Sequence, residues 1–359
     1  MKKLFEEVRI GDVTLKNRLG MSPMTRNRAL PDGTPGELAK EYYGQRASFG
    51  LIISEGTQPS DDGQGYLNTP GIYTPSHIEG WKKITSRVHN EGGRIFIQLM
   101  HAGRVSHPDN TPHHRQAVAP SAIAPGTEMF TAEGMKEIPT PRELGQNEIK
   151  EVIQEFRTAA AAAIEAGADG VEIHGANGYL IQQFLSENSN HRQDAYGGSI
   201  ANRARFAIEV TKAVIDEIGA EKTGIRFSPQ GTLNGIEEGE TNIEMYRYLI
   251  GELNKLDLAY LHIMHFGNEP LLQEIRQLWT QPLVVNRAGR PLEQLTVDLD
   301  NDLADVATVG IWALANPDFI ERIKKNAPLN EPDVTKLYAG GAQGYTDYPE
   351  MEELKSQQQ

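Results

Sequence analysis

Three side chains that follow one short apolar run are the chain's clearest chemical feature: His174, Asn177 and Tyr179, in the stretch from Gly170 to Tyr179. An imidazole and a carboxamide each offer an N–H to a carbonyl or nitro oxygen. A phenol, protonated at neutral pH because its reference pKa is about 10, can pass a proton to carbon. Donors aimed at charge that develops in a transition state are worth about 2.7–4 kcal/mol each. Taken alone, Tyr179 also fits a packed aromatic on a short helix over 178–185. A second feature is Arg226, a cation inside the apolar run 224–228. Such burial costs several kcal/mol unless something offsets it, so Arg226 either pairs with an acid such as Glu172 or faces an anionic ligand.

The elements that must position these groups follow from hydrophobic periodicity. Short β-type runs at 19–21, 51–54, 95–99, 170–173, 224–228, 258–263, 283–286 and 306–308 alternate with helix-patterned segments. Those segments fall at 36–48, 76–90, 146–166, 200–218, 242–253, 269–278, 292–299 and 316–326. About eight such alternations predict an α/β fold, a (β/α)8 TIM barrel in one domain over 1–349, because no Gly-rich dinucleotide turn follows the first strand. Runs at 8–10 and 13–15 around Gly11-Asp12 predict an N-terminal hairpin closing the barrel bottom. Residues 100–145 form a long Pro/Gly/His-rich loop after the third strand, expected as a lid or wall. The polar, glycine-bearing run after Tyr179, through Arg192, Asp194, Asn202 and Arg203, predicts a fixed loop under the site. Residues 350–359 predict a polar, disordered tail.

Composition narrows the chemistry. With no cysteine there are no disulfides, thiolate nucleophiles or cysteine-held clusters, so redox work needs an organic cofactor or a non-thiolate metal. A net charge of −14 without Lys/Arg clusters argues against nucleic acid as a partner. No window approaches the ~20 apolar residues of a membrane span, and the first residues lack a leader's apolar run, so a cytoplasmic setting is expected. His101, His107, His113 and His114 lack metal-site spacing, with Pro108 and Pro112 between them, and no metal is expected.

The strand ends assemble a wider pattern. It runs from Ser22-Pro23-Met24-Thr25 and 98–104 through 174–179 and the block 194–206 to Ala315-Asn316-Pro317-Asp318 and 344–349. In these motifs, nearly end to end, the chain resembles the old yellow enzyme family of FMN-dependent ene-reductases. The resemblance implies a barrel that holds FMN noncovalently, takes electrons from NADPH or NADH, and reduces activated alkenes such as enones, enals, maleimides and nitroalkenes. It implies that His174 and Asn177 polarise the alkene while flavin N5 gives hydride and Tyr179 gives the proton. It also implies that Thr25, with Pro23 and Met24 beside it, meets the flavin O4 edge, Gln98 its pyrimidine edge and Gly56 its ring. Arg226 faces N1 and O2, where a fixed cation favours the reduced anion. Tyr66, Asn234 and Tyr338 become candidate substrate walls. Judged singly, Thr25 and Gln98 also fit ordinary strand-end capping.

The chain departs from that pattern in places. Met100 stands where many relatives carry Trp, which implies a more pliable substrate pocket. Thr25 places it with the subgroup that uses a hydroxyl there. After Gly310 comes Ile311 where many members have Arg, so Arg290 or Arg287, with the Ala288-Gly289 backbone and the helix that follows, are the candidates to hold the FMN phosphate. Two other readings stay open: a metal-dependent barrel hydrolase or aldolase using Glu172, His174 and loop histidines, and a non-catalytic flavin-binding module. Whether the protein is a monomer or a homodimer is left open.

Overall fold

The computed structural model describes residues 2–291, 294 and 296–352. Eight parallel strands close into a barrel in chain order: β1 (Leu19–Met21), β2 (Leu51–Ile53), β3 (Ile95–Leu99), β4 (Gly170–His174), β5 (Thr223–Phe227), β6 (Tyr260–His265), β7 (Leu283–Arg287) and β8 (Val306–Val309). Strand side chains alternate between the two faces, which splits each strand into residues that meet the helices and residues that fill the barrel. Leu51, Ile53, Phe96, Tyr260, Val284 and Val306 form one buried interior cluster. The strands Val8–Ile10 and Val13–Leu15 of the N-terminal hairpin cap it with Ile10, Val13 and Leu15. The bottom of the barrel is therefore a packed apolar plug, and anything polar inside must lie above it.

The plug contains two aromatic rings, Phe96 and Tyr260, with centroids 5.5 Å apart. The neighbouring strands make room for them by omitting a β-carbon. A Cβ on Gly224 would sit 2.4 Å from the Tyr260 ring, and one on Gly170 2.6 Å from Phe96.

The outer layer comprises the helices α1 (Glu37–Gln45), α2 (Pro75–Asn90), α3 (Gln146–Glu165), α5 (Ile200–Ile218), α6 (Asn242–Asn254) and α7 (Glu269–Leu278), together with the short α4 (Leu180–Leu185), α8 (Val297–Asp300), α9 (Ile311–Ala315) and α10 (Phe319–Lys324). Their starts carry local signals. Thr74 Oγ1 accepts from the His77 amide at 3.1 Å, Ser199 Oγ from Asn202 at 3.2 Å, and Asn268 Oδ1 from Leu271 at 3.1 Å. None of the helices in the described residues is long and apolar enough to cross a membrane.

Several boundaries differ from the sequence expectation. The helix expected over 316–326 is shorter, α10 alone at Phe319–Lys324, and the unexpected α9 precedes it; Asn316-Pro317-Asp318 lies between the two, because a proline disfavours helical backbone in the residue before it. β6 runs two residues further than 258–263, continuing as Met264-His265 towards the cavity mouth. Of the helix expected at 292–299, only Val297–Asp300 is seen; residues 292, 293 and 295 lie outside the described residues, as do tail residues 353–359. The long segment after β3 is also not bare loop. It contains a hairpin, Glu128–Thr131 against Gly134–Glu137, and a short parallel pair, Val118–Ala119 with Arg142–Glu143.

Gly224→Ala should lower the unfolding free energy by about 1–3 kcal/mol, because its methyl group meets the Tyr260 ring in a filled core. Urea denaturation reads this, and an unchanged midpoint would mean that the plug is loosely packed.

Candidate active site

Above the plug the barrel interior turns polar. Gln98 on β3, Glu172 on β4, His262 on β6 and Thr308 on β8 form one buried chain. Gln98 Nε2 donates to Glu172 Oε2 at 2.8 Å, His262 Nδ1 lies 2.7 Å from Glu172 Oε1, and His262 Nε2 lies 3.0 Å from Thr308 Oγ1. A carboxylate only accepts, so His262 carries its proton on Nδ1 and accepts from Thr308 through Nε2. Burial works against the Glu172 carboxylate, but His262, Arg226 and Gln98 outweigh it and hold its pKa below the ordinary value. Burial likewise lowers His262. The state that satisfies both is an ionised Glu172 beside a neutral His262.

Arg226 is paired in register with His262 on one side and His174 on the other. It makes no hydrogen bond or ion pair with any described residue, and its buried Nε has no partner. Glu172, the acid expected as its alternative partner, is taken by His262 and Gln98. This leaves Arg226 as a buried cation facing the cavity, compensated at a distance by Glu172.

The loop after β4 is fixed from several directions. Asn177 has a left-handed backbone with φ 58°, a conformation that asparagine tolerates better than most residues. Its amide donates to Ser228 Oγ at 2.9 Å and its carbonyl accepts from Asn234 Nδ2 at 2.7 Å. Gln182 Oε1 accepts from Gly178 at 2.7 Å, and Gln183 Nε2 donates to the Gly178 carbonyl at 2.8 Å. The Asn177 side-chain Oδ1 has no partner, which leaves that amide unspent.

His174 Nδ1 accepts from the Ala176 amide at 3.2 Å, which puts the proton of a neutral ring on Nε2. Burial, then Arg226, then His262 push its pKa well below 6.5, so the ring is neutral. Tyr179 packs edge-on to His174 with centroids 5.0 Å apart, and its hydroxyl meets that of Tyr66 at 2.8 Å. Burial and then Tyr66 raise the Tyr179 pKa well above 10 and keep the proton on it.

Tyr66, Asn177, Tyr179 and Arg226 border one cavity of about 1020 Å³. That is at the upper end of ordinary ligand sites, roughly 300–1,000 Å³, and leaves room for more than one small molecule. Pro23, Met24, Thr25, Tyr66, Asn177, Tyr179, Arg226, Asn234, Ala288, Gly289, Arg290, Gly310 and Tyr338 all line it. Tyr338 does so from the rim, 64% exposed. Four expected site residues stand back from the walls: His174 behind Tyr179, Gln98 in the buried chain, and Gly56 against Met100, whose Sδ lies 2.5 Å from where a Gly56 Cβ would be. Met100 belongs to a small core with Ala102, Val105, Met129, Ile138 and Tyr179, so it supports the pocket from behind.

The polar run after Tyr179 braces α4 and the long excursion from outside. Asn190 Nδ2 donates to the carbonyls of Phe184 and Tyr196 at 2.7 and 2.8 Å, and Arg192 reaches the Pro120 carbonyl at 3.0 Å.

Sequence reasoning missed His262 and Thr308, Asn286, and the hairpin in the excursion. Asn286 Nδ2 ties β7 to Ser22 Oγ at 3.1 Å and to the Thr308 carbonyl at 3.0 Å. His262 had a signal: it shares inward parity with Tyr260. The hairpin places Phe130 and Met135, each 59% exposed, on the cavity wall. Its signal was the turn glycine, Gly134, at φ 100°.

A flavin fits this site. Its electron-rich pyrimidine end needs a cation without a prior partner, which Arg226 provides, and the cavity has the volume. A metal does not fit Glu172 and His174, since Glu172 is spent on its neighbours, and no group of three or more His, Asp or Glu side chains among the described residues is arranged to hold an ion.

Fold and site together define a flavin-dependent barrel oxidoreductase. The chain matches the NADH:flavin oxidoreductase / NADH oxidase family over residues 3–330 and belongs to it. It is 38% identical to a probable flavin mononucleotide-dependent alkene reductase of Leishmania infantum, over 95% of this chain and 96% of the relative. It is also 38% identical to 12-oxophytodienoate reductase 2 of Arabidopsis thaliana, over 97% and 96%. Among solved structures, morphinone reductase in complex with tetrahydroNAD superposes with a TM-score of 0.93 at 43% identity, covering 97% of each chain. The old yellow enzyme homologue of Zymomonas mobilis gives 0.93 at 39% identity, covering 97% of this chain and 99% of that one.

Because its pKa is depressed, His174 should stay uncharged at every pH above the lowered value. NMR of ring-labelled protein should therefore show this residue's midpoint well below that of an ordinary histidine, which turns over near ~6.5. A midpoint near the ordinary value would contradict the assigned environment.

Proposed function

We propose that this protein is an FMN-dependent NAD(P)H:alkene oxidoreductase that reduces the C=C bond of activated alkenes. The observation that carries the reading is one cavity lined by an unspent Asn177 amide, a protonated Tyr179 and the unpaired cation Arg226, with a neutral His174 packed edge-on against Tyr179. The names of the relatives, alkene reductase, 12-oxophytodienoate reductase and morphinone reductase, support it.

Bound FMN supplies the hydride acceptor and donor that this cysteine-free chain lacks. Arg226 would hold its pyrimidine end, with Thr25, Pro23 and Met24 on the cavity wall and Gly56 and Gln98 backing that wall, and its fixed charge would favour the negative charge gained on reduction. His174 Nε2–H and the Asn177 amide donate to the carbonyl or nitro oxygen of the alkene, drawing electron density off the double bond. Tyr179 delivers the proton to the α-carbon. The Tyr66 and Tyr179 hydroxyls lie 2.8 Å apart, and when Tyr66 is the donor the Tyr179 hydrogen is free to point at substrate. Asn234 keeps Asn177 in place through its carbonyl. Tyr66, Asn234 and Tyr338 wall the substrate side, with Met100 supporting them from behind. The phosphate end lies with Ala288, Gly289, Arg290 and Gly310. The reading includes the cytoplasmic setting expected from the sequence, and either nicotinamide serves as reductant.

The test separates two half-reactions in anaerobic rapid mixing. Tyr179→Phe should slow reoxidation of the reduced enzyme by cyclohexenone by about 10²-fold or more while leaving reduction by NADPH or NADH unchanged. The reverse pattern would remove Tyr179 as the acid. His174→Ala or Asn177→Ala should each cost about 10²–10³ in the alkene step, and full retention of that step in both would remove the polarising role.

A further inference from the structure

At the β7 end of the cavity lies a cluster of four charges that the alkene chemistry does not use. Arg287, the last residue of β7, is gripped along two edges. Asp298 accepts from its Nε at 2.5 Å and its Nη2 at 2.7 Å, while Glu269 accepts from Nη1 and, at 3.1 Å, from Nη2. Arg290 gives Nη2 to the same Glu269 at 2.9 Å and Nη1 to Gln294 at 2.5 Å. His265 Nδ1 lies 3.3 Å from Arg287 Nη1. Arg287 and Arg290 against Asp298 and Glu269 sum to zero formal charge.

In barrels, phosphates commonly bind at the loops after the seventh and eighth strands, which here begin at Ala288 and Gly310, both on the cavity wall. A phosphate monoester arriving there carries about −1.5 to −2 charges at neutral pH. It would meet two arginines already neutralised, with two carboxylates beside them. The two acids differ in how firmly they hold. The Asp298 side chain is 8% exposed and bound along one full edge of Arg287, whereas that of Glu269 is 42% exposed and starts α7, free to turn into water. Exposed ion pairs are the weak ones.

We propose that Glu269 is an internal stand-in anion that the FMN phosphate displaces. Asp298 keeps Arg287 aimed at the cavity, and departure of Glu269 frees Arg290 and one edge of Arg287 for the phosphate. Glu269 thereby weakens the grip on FMN and leaves the grip on riboflavin, which has no phosphate, untouched. The inference rests on the FMN reading above.

The experiment is equilibrium titration of the full-length apoprotein with FMN and, separately, with riboflavin, followed by quenching of flavin fluorescence. Glu269→Gln should lower the Kd for FMN by about two- to fivefold, the worth of a surface pair, with the riboflavin Kd unchanged. Arg290→Ala should raise the FMN Kd by about tenfold, again with riboflavin unchanged. If Glu269→Gln fails to fold, Glu269→Asp, which shortens the reach to both arginines, should shift the FMN Kd in the same direction. An FMN Kd that stays put or rises on removing Glu269, or an equal shift for both flavins, overturns the proposal. A parent apoprotein that takes up neither flavin would instead sink the FMN reading itself.

Discussion

Everything at this site turns on a guanidinium inside a barrel that has no partner among the described residues. A buried cation normally costs several kcal/mol unless it is paired and hydrogen-bonded, and the chain had an acid close enough to serve. Instead, Glu172 is occupied by His262 and Gln98, and Arg226 faces the cavity with its Nε unsatisfied. The arrangement keeps the charge from being lost to burial while leaving it free for a ligand. Stability conceded here is recovered in the apolar plug below, where Phe96, Tyr260 and the N-terminal hairpin fill the barrel.

The same cation organises its surroundings. It sits beside His174 in register and is one of the reasons, after burial, that the imidazole stays neutral. A neutral imidazole with Nδ1 committed to the Ala176 amide is a pure N–H donor through Nε2, which suits an oxygen gaining negative charge. The loop that presents Asn177 and Tyr179 is pinned by Gln182, Gln183, Ser228 and Asn234, so these donors are held before any ligand arrives. Preorganisation of this kind spares the reaction the cost of ordering its own catalyst.

Much of this was legible in the sequence, for reasons that can be named. Buried parallel strands appear as unbroken apolar runs, so β1, β3 and the start of β4 were plain, and α5 and α7 were bounded by Ser199 and Asn268, which cap them. A charge in such a run, as at Arg226, stands out because it violates the pattern. The partners of Arg226 could not be read, because whether Glu172 turns to Arg226 or to His262 depends on inward parity across three strands. The late start of the helix expected over 316–326 was signalled by Pro317 and read past. The hairpin over Glu128–Thr131 and Gly134–Glu137 was hidden because its strands are short and two of its apolar residues, Phe130 and Met135, lie on the cavity wall instead of in a core. Arg287 and Arg290 were visible as candidate cations, but the carboxylates that already hold them come from α7 and α8, the helices flanking β7, and periodicity does not show that these helix starts turn back onto the strand end.

The most direct test of the account is the two-electron reduction potential of bound FMN in the parent and in Arg226→Gln. If the unpaired cation is there to favour the charge gained on reduction, the variant's potential should be more negative by about 30 mV or more, since 30 mV is about 1.4 kcal/mol over two electrons. An unchanged potential, with FMN held as tightly as in the parent, would contradict it.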